Sequence, residues 1–322
     1  MPKKQSRATS YLYLLINTLA WGAFLPIVKI GFNESAITPY RYLLYRFVFA
    51  GILSIPFIIR GFSVIKKKFK AVIIISLIEI LGTSIALSFL YIGLHQTSSL
   101  IINLLATTLP IFVTLGGVFF LREREDGHEW LGLAISLIGT LVLIYSSLTA
   151  DQLTFAGSML GIGCIVVYNI VTTAYFLLTK RYYQPYPKLF VSGISFYVGA
   201  ITFAILSLAE VHFQLPEFVS IATKELSSPL ILFVIAYAAI VGSIIGLTTY
   251  IKGQMGIEAS EASLFSYLQP VVYIPLGFVL LNERITVIQV AALGIVIIGV
   301  IFAEKRVNLH RSTYPHKKNK TK

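Results

Sequence analysis

Residues 104–139 and 264–299 are two versions of one pattern, separated by 160 positions. Leu104 corresponds to Leu264, Pro110 to Pro270, Gly117 to Gly277, Leu121 to Leu281, Glu123-Arg124 to Glu283-Arg284 and Gly139 to Gly299. In each copy an apolar segment interrupted by proline ends in Leu-x-Glu-Arg. A second apolar segment follows, with a glycine sixteen residues after the Glu. Self-similarity at a fixed offset marks a duplicated architecture. The remaining segments are therefore read as the rest of two halves.

The medium follows from composition. Hydrophobic residues make up 56% of the 322-residue chain and charged residues 12%, against about a quarter charged in soluble domains. Stretches of about 20 residues are nearly free of charge, the length that crosses ~30 Å of hydrocarbon. They do not alternate as the strands of a membrane barrel would. The fold class expected is an all-α membrane protein of ten transmembrane helices, arranged as two inverted five-helix repeats. Spans are predicted near 11–32, 39–59, 71–92, 97–121, 129–148, 157–180, 188–209, 229–251, 259–281 and 286–303. Connections are short except Glu210 to Ser228, read as a long loop. Residues 1–10 form an N-terminal segment, 11–148 the first repeat, 157–303 the second and 304–322 a basic tail. Residues 11–32 are too long for the apolar core of a signal peptide and read as the first span.

The net charge of +12 does not point to nucleic acid, because the basic residues cluster between and beyond the apolar runs, as at Lys66-Lys67-Lys68 and Lys317-Lys318. Such clusters orient a chain in the bilayer and sit against anionic lipid at the cytoplasmic face. With the N-terminus inside, only Arg41, Lys224 and Arg284 of the 26 lysines and arginines fall outside, and only Lys29 and Arg46 lie within spans. The positive-inside rule places both termini in the cytoplasm. Five spans per half then make the second half enter from the opposite side, as in transporters that hold substrate where inverted halves meet.

Ten spans as five plus five, prolines in the fourth and ninth, the Leu-x-Glu-Arg endings, Leu19-Ala20-Trp21-Gly22 in the first span and Arg46 in the second resemble the EamA-type branch of the drug/metabolite transporter superfamily. The resemblance covers roughly residues 11–303 and implies a carrier of amino acids, sugars, nucleotide sugars or other metabolites. The repeat is weakest over the first two spans of each half, where Trp21-Gly22 has no evident partner within 157–180.

Polar residues inside the spans are the candidates for chemistry. Glu79 lies about 12 Å into the third span at 1.5 Å per residue, where an ionised carboxylate facing lipid is costly. It reads either as a substrate-amine or proton-coupling carboxylate, or as a structural partner of Arg46. Arg46 in turn either closes that ion pair or holds a substrate carboxylate through its planar fork. Pro110 and Pro270 remove the amides that would bond to Ala106 and Ser266, so they are read as helix kinks exposing backbone acceptors. Asn103 and Thr107 share one helix face, as do Ser263 and Tyr267, and the two pairs are counterparts at the 160 offset. With Gln269 they read as a polar cavity lining, or alternatively as helix–helix hydrogen bonds. Asn17 with Trp21, and Tyr168 with Thr172 and Tyr175, add aromatic faces suited to an organic solute. Lys29 snorkels to the outer surface, the Glu-Arg turns support helix ends, and Gly116-Gly117 and Gly277 permit close packing.

The five histidines lack metal-ligand spacing, the single cysteine Cys164 excludes an intramolecular disulfide, and no phosphate-binding loop is present. Neither metal nor cofactor is expected, and protons are the candidate coupling ion. The function expected is a non-enzymatic secondary transporter or facilitator in the plasma (inner) membrane. It moves small organic metabolites, amino acids or similar amphiphilic solutes, by alternating access, with export the expected direction. The alternatives are a membrane-embedded enzyme or lipid-handling protein, and an ion channel.

Overall fold

The structure, a computed structural model, describes residues 6–67, 69–96, 105–106, 108–122, 127–150, 155–281 and 286–304. Regular structure among the described residues is entirely helical. Seven helices have the length and apolar character to cross a membrane: α1 (Arg7–Asn33), α2 (Pro39–Gly61), α3 (Phe69–Gln96), α6 (Leu160–Tyr182), α7 (Lys188–Glu210), α8 (Pro229–Gly253) and α9 (Ala259–Leu280). Three shorter apolar helices complete the set, α4 (Leu109–Leu121), α5 (Gly127–Val142) and α10 (Val290–Gly299). Each overlies one predicted span. Large apolar side chains such as Ile59, Phe119, Phe120, Ile201 and Val279 stand exposed around the outside, as a lipid-facing belt requires.

Helix ends follow local chemistry. The Ser6 hydroxyl accepts from the Thr9 amide at 3.1 Å and starts α1. Ser228 does the same for Ile231, followed by Pro229, whose missing amide needs no partner in a first turn. Pro110 likewise sits in the first turn of α4, which ends where Arg122 turns left-handed at φ 56°. Pro270 interrupts α9: an α-helical stretch Ala259–Leu264 tightens to a 3₁₀ turn, Phe265–Leu268, before α-helix resumes at Gln269. The stretch between Glu210 and Ser228, read from sequence as a loop, holds a surface helix, Leu215–Leu226, with Glu217 in its first turn and Lys224 in its last. Those are ordinary start and stop signals. Its exposed Leu215, Val219 and Leu226 fall on one side, while Phe218 and Ala222 pack inward.

Helix pairing maps onto itself when each helix is exchanged with the one five places on. Helix α5 packs on α10, α2 on α7 and α4 on α9. Helix α3 packs on α6 as α8 does on α1, α4 on α6 as α9 on α1, and α3 on α7 as α8 on α2. Counterparts α5 and α10 run antiparallel: Gly139 lies against Val296 and Ala292, and Gly299 against Ser136 and Gly132. Adding 160 to one set of numbers gives the other. Helices α2 and α7 are antiparallel too, with contacts running from Tyr40–Phe203 to Gly61–Phe190. Small residues at these crossings let backbones approach closely, which drives helix association where lipid cancels the hydrophobic effect.

A Cβ at Gly299 would lie 2.5 Å from the Ser136 nitrogen and 2.7 Å from the Gly132 oxygen, both backbone, whereas one at Gly163 meets nothing within 4 Å. Gly299→Ala should therefore cost about 1–3 kcal/mol through overpacking and lower the thermal midpoint of the purified protein. Gly163→Ala should leave that midpoint unchanged or raised.

Candidate functional site

The two halves enclose a chamber of about 130 Å³ near their junction. Its wall includes Trp21, Phe24, Arg46, Phe47, Thr83 and Tyr91 from the first half, and Tyr168, Thr172, Tyr175, Ser195, Ser243 and Gln269 from the second. Two π-helical stretches shape it, Ile80–Ala86 within α3 and Ala238–Leu247 within α8. They are counterparts at the 160 offset, which carries Gly82-Thr83 onto Gly242-Ser243. A π turn widens the helix and frequently marks a functional site.

The glycines in these stretches seat aromatic rings. Tyr175 crosses Gly82 and Phe24 crosses Gly242 so closely that an added Cβ would lie 2.2 Å from either ring. The Trp21 ring packs on Gly246, its Nε1–H donates to the Gly242 carbonyl at 3.0 Å, and it stacks on Tyr250 at 5.4 Å. Phe24 and Tyr175 thus hold equivalent places, each lying over the matching glycine of the π stretch in the opposite half. Sequence comparison missed this because the two residues differ in type and spacing.

Arg46 carries the chamber's charge. It is 7% exposed, donating from Nε to Ser243 Oγ at 2.7 Å and from Nη1 to Tyr91 OH at 2.9 Å. Phe24 and Phe47 lie 4.6 Å and 5.2 Å from the guanidinium carbon. The ion pair with Glu79 entertained from the sequence is not formed, because Glu79 is taken up by other groups. Fully buried behind the wall, Glu79 accepts from Tyr183 OH at 2.7 Å, Thr83 Oγ1 at 2.8 Å and Tyr175 OH at 3.2 Å. Ser195, on the wall, joins Thr83 at 2.7 Å.

Of the residues singled out from sequence, Trp21, Arg46, Tyr168, Thr172, Tyr175 and Gln269 meet at the chamber. Asn17 lies beside it, donating to the Gly246 carbonyl at 3.0 Å. Ser263 and Tyr267 are buried elsewhere: Ser263 donates to the Ser260 carbonyl, and Tyr267 packs with Leu133, Ala292 and Val296 of α5 and α10. The 3₁₀ turn explains the difference, advancing roughly 120° per residue against 100° in an α-helix, so Ser266 reaches the wall in place of Ser263 and Tyr267. Pro110 and Pro270 are buried at the two helix breaks. Asn103, Thr107 and both Glu-Arg turns lie outside the described residues. Thr83, Ser195, Ser243 and Tyr183 were not anticipated. For Thr83 and Ser243 the signal existed, a hydroxyl after glycine at matching positions, whereas Tyr183 falls past the predicted end of its span.

Ion pairs join the halves at both ends of the molecule. Arg7 pairs with Glu261, which also accepts from Tyr11 OH at 2.5 Å. At the other end of the 27-residue α1, roughly 40 Å away at 1.5 Å per residue, Arg41 contacts Glu225 at 3.0 Å and Glu210 at 3.2 Å.

The sequence pattern of the EamA-like transporter family matches residues 8–145 and again 159–304. An uncharacterized transporter of Clostridium kluyveri is 22% identical over 293 residues, covering 90% of this chain and 91% of that protein. An uncharacterized transporter of Archaeoglobus fulgidus is 25% identical, covering 92% and 99%. The uncharacterized inner membrane transporter YedA of Escherichia coli is 24% identical, covering 93% and 90%. A solved crystal structure superposes with a TM-score of 0.72 at 18% identity over 93% of this chain and 97% of the other, a likeness of fold.

Removing one hydroxyl tests the buried carboxylate's anchorage. Tyr183→Phe leaves a Glu79 oxygen short of a donor, which costs about 1–3 kcal/mol. Thermal unfolding in detergent should show a lower midpoint, and an unchanged one would remove Tyr183 from that role.

Proposed function

The chain belongs to the EamA-like transporter family, and we propose that it is a secondary transporter or facilitator that carries small organic solutes through the chamber by alternating access. On this reading residues 11–148 and 157–303 are two inverted repeats. The observation that carries it is the chamber wall, to which matched π stretches of the two halves bring Gly82-Thr83 and Gly242-Ser243. Antiparallel packing of counterpart helices supports the inversion, since an in-plane pseudo-two-fold axis reverses direction across the membrane. Two near-equivalent halves can exchange conformations about α4 and α9, so that inward-open and outward-open states have similar energies. Amino acids or similar amphiphilic solutes fit a small aromatic chamber with few polar groups, and export is the direction proposed.

The setting proposed is the inner membrane, the location in YedA's name, with both termini cytoplasmic because the basic residues concentrate on that side. The basic connections lie against anionic lipid there. Saturable uptake into proteoliposomes, competed by unlabelled solute and accelerated by counterflow, is the expected result. Chemical turnover without translocation would favour an enzyme instead, and conduction without saturation a channel.

Protons are the coupling ion in this proposal, and Glu79 the group that carries them. Glu79→Gln should keep the protein folded by size exclusion and leave exchange of solute intact. It should abolish stimulation by an imposed pH gradient. Transport with unaltered pH dependence excludes Glu79 from coupling.

The ion pairs at the two ends act in this scheme as opposed latches. Arg7 and Glu261 close the cytoplasmic end, and Arg41 with Glu210 and Glu225 closes the outer end. In a Cys164→Ala background carrying Ser266→Cys as a reporter in the chamber wall, Arg7→Gln should speed labelling from the cytoplasmic side. Arg41→Gln should speed it from outside. Shifts of the same sign for both variants contradict opposed latching.

A further inference from the structure

The chamber's charges are one-sided. Among the described residues its wall carries one ionisable cation, Arg46, and no carboxylate, since the nearest acid, Glu79, lies behind Thr83 and Tyr175 and accepts from both. Arg46 is more than nine-tenths buried and has no acidic partner among the described residues. Burying a guanidinium without a counter-ion is costly in a membrane interior, and an anionic solute would supply one. A guanidinium has five N–H groups. Ser243 takes the Nε hydrogen and Tyr91 one from Nη1, with the Tyr42 hydroxyl also beside the group, so the protein does not use all five. The planar fork of a guanidinium matches a carboxylate with two parallel hydrogen bonds. Phe24 and Phe47 beside the guanidinium fix its plane, so the fork is held in place before a ligand arrives.

The rest of the wall is suited to an apolar body. Trp21, Tyr175 and Phe176 line it, and about 130 Å³ admits only a small solute. A ligand ammonium would find hydroxyls and aromatic faces but no wall carboxylate. We propose that the chamber selects a small monocarboxylate with an apolar body, recognised through its anion at Arg46, and that an amino group on the ligand contributes little. This inference rests on the chamber being the solute site of the carrier. It sharpens that reading from amphiphilic solutes in general to organic monoanions.

A matched trio of one carbon skeleton tests it: leucine, its amide leucinamide, and 4-methylpentanoate, which is leucine without the amine. Each is measured by thermal shift on the purified full chain and by competition of leucine uptake into proteoliposomes. The expected result is that 4-methylpentanoate binds within about threefold of leucine while leucinamide binds at least tenfold more weakly. In Arg46→Gln the acid and the amide should become equal. Because that variant also loses the contacts to Ser243 and Tyr91, Arg46→Lys is read beside it and should keep a preference for the acid at reduced affinity. Leucinamide binding as well as leucine, 4-methylpentanoate failing to bind, or none of the three binding each overturns the inference. Acid-selective binding with no movement of solute into proteoliposomes upholds the anion site and fails the carrier reading instead.

Discussion

Hydrocarbon offers no partner to a polar atom, and that constraint organises the protein. Every hydroxyl, amide and charge placed within the bilayer must be answered by another part of the chain or by a solute. Many of the described polar groups are answered where the two halves meet, although the buried Tyr267 hydroxyl makes no hydrogen bond among the described residues. Asn17 and Trp21 of α1 bond to carbonyls of the α8 π stretch, Thr18 to the Phe265 carbonyl, and Glu79 of α3 to hydroxyls from α6. Each of these bonds crosses between halves, so the contacts that satisfy the interior also hold one half against the other. Apolar packing alone would not place them so specifically, because lipid tails compete on equal terms for apolar side chains.

Much of this arrangement was legible before any coordinates. Charge-free stretches of membrane-spanning length mark the ten apolar helices, and the repeat at 160 anticipates the pairing of Gly139 and Gly299 with each other's surroundings. Periodicity was less informative about direction. Spacing puts Ser263 and Tyr267 on one α-helical face, but Tyr267 lies within a 3₁₀ turn and packs toward α5 and α10 while Ser263 bonds back to the Ser260 carbonyl. Only a local change of helical pitch decides such a matter, and pitch has no residue signature. The π stretches were hidden for the same reason: Ile80–Ala86 reads as continuous helix until its hydrogen bonds are seen. The surface helix Leu215–Leu226 carries ordinary start and stop signals, Pro216 and Glu217 in its first turn and Lys224 in its last, within a stretch whose polarity alone reads as a loop. Tyr183 was lost to an uncertain helix boundary, although its hydroxyl makes the shortest bond to Glu79.

The scaffold is symmetric and its chemistry is not. At matching positions on the two π stretches, Thr83 donates to the carboxylate of Glu79 while Ser243 accepts from the guanidinium of Arg46. A hydroxyl can serve either role, so this position serves a carboxylate from the first π stretch and a guanidinium from the second. The residue 160 positions beyond Glu79 is Ala239, which is fully buried in the apolar core. The two charged groups at and behind the chamber wall, Arg46 and Glu79, both belong to the first half, and the second half answers them with neutral groups: Ser243 for the base, Tyr175 and Tyr183 for the acid. In the proposed alternating-access scheme, exchanging conformations between matched halves would leave the helix packing nearly degenerate but would move Arg46 and Glu79 into environments the other half does not reproduce. In that scheme those two side chains, and whatever binds Arg46, set the energy difference between the two states. A solute that completes an ion pair there can bias the equilibrium, because differential interaction with the two states is the one way a ligand shifts it.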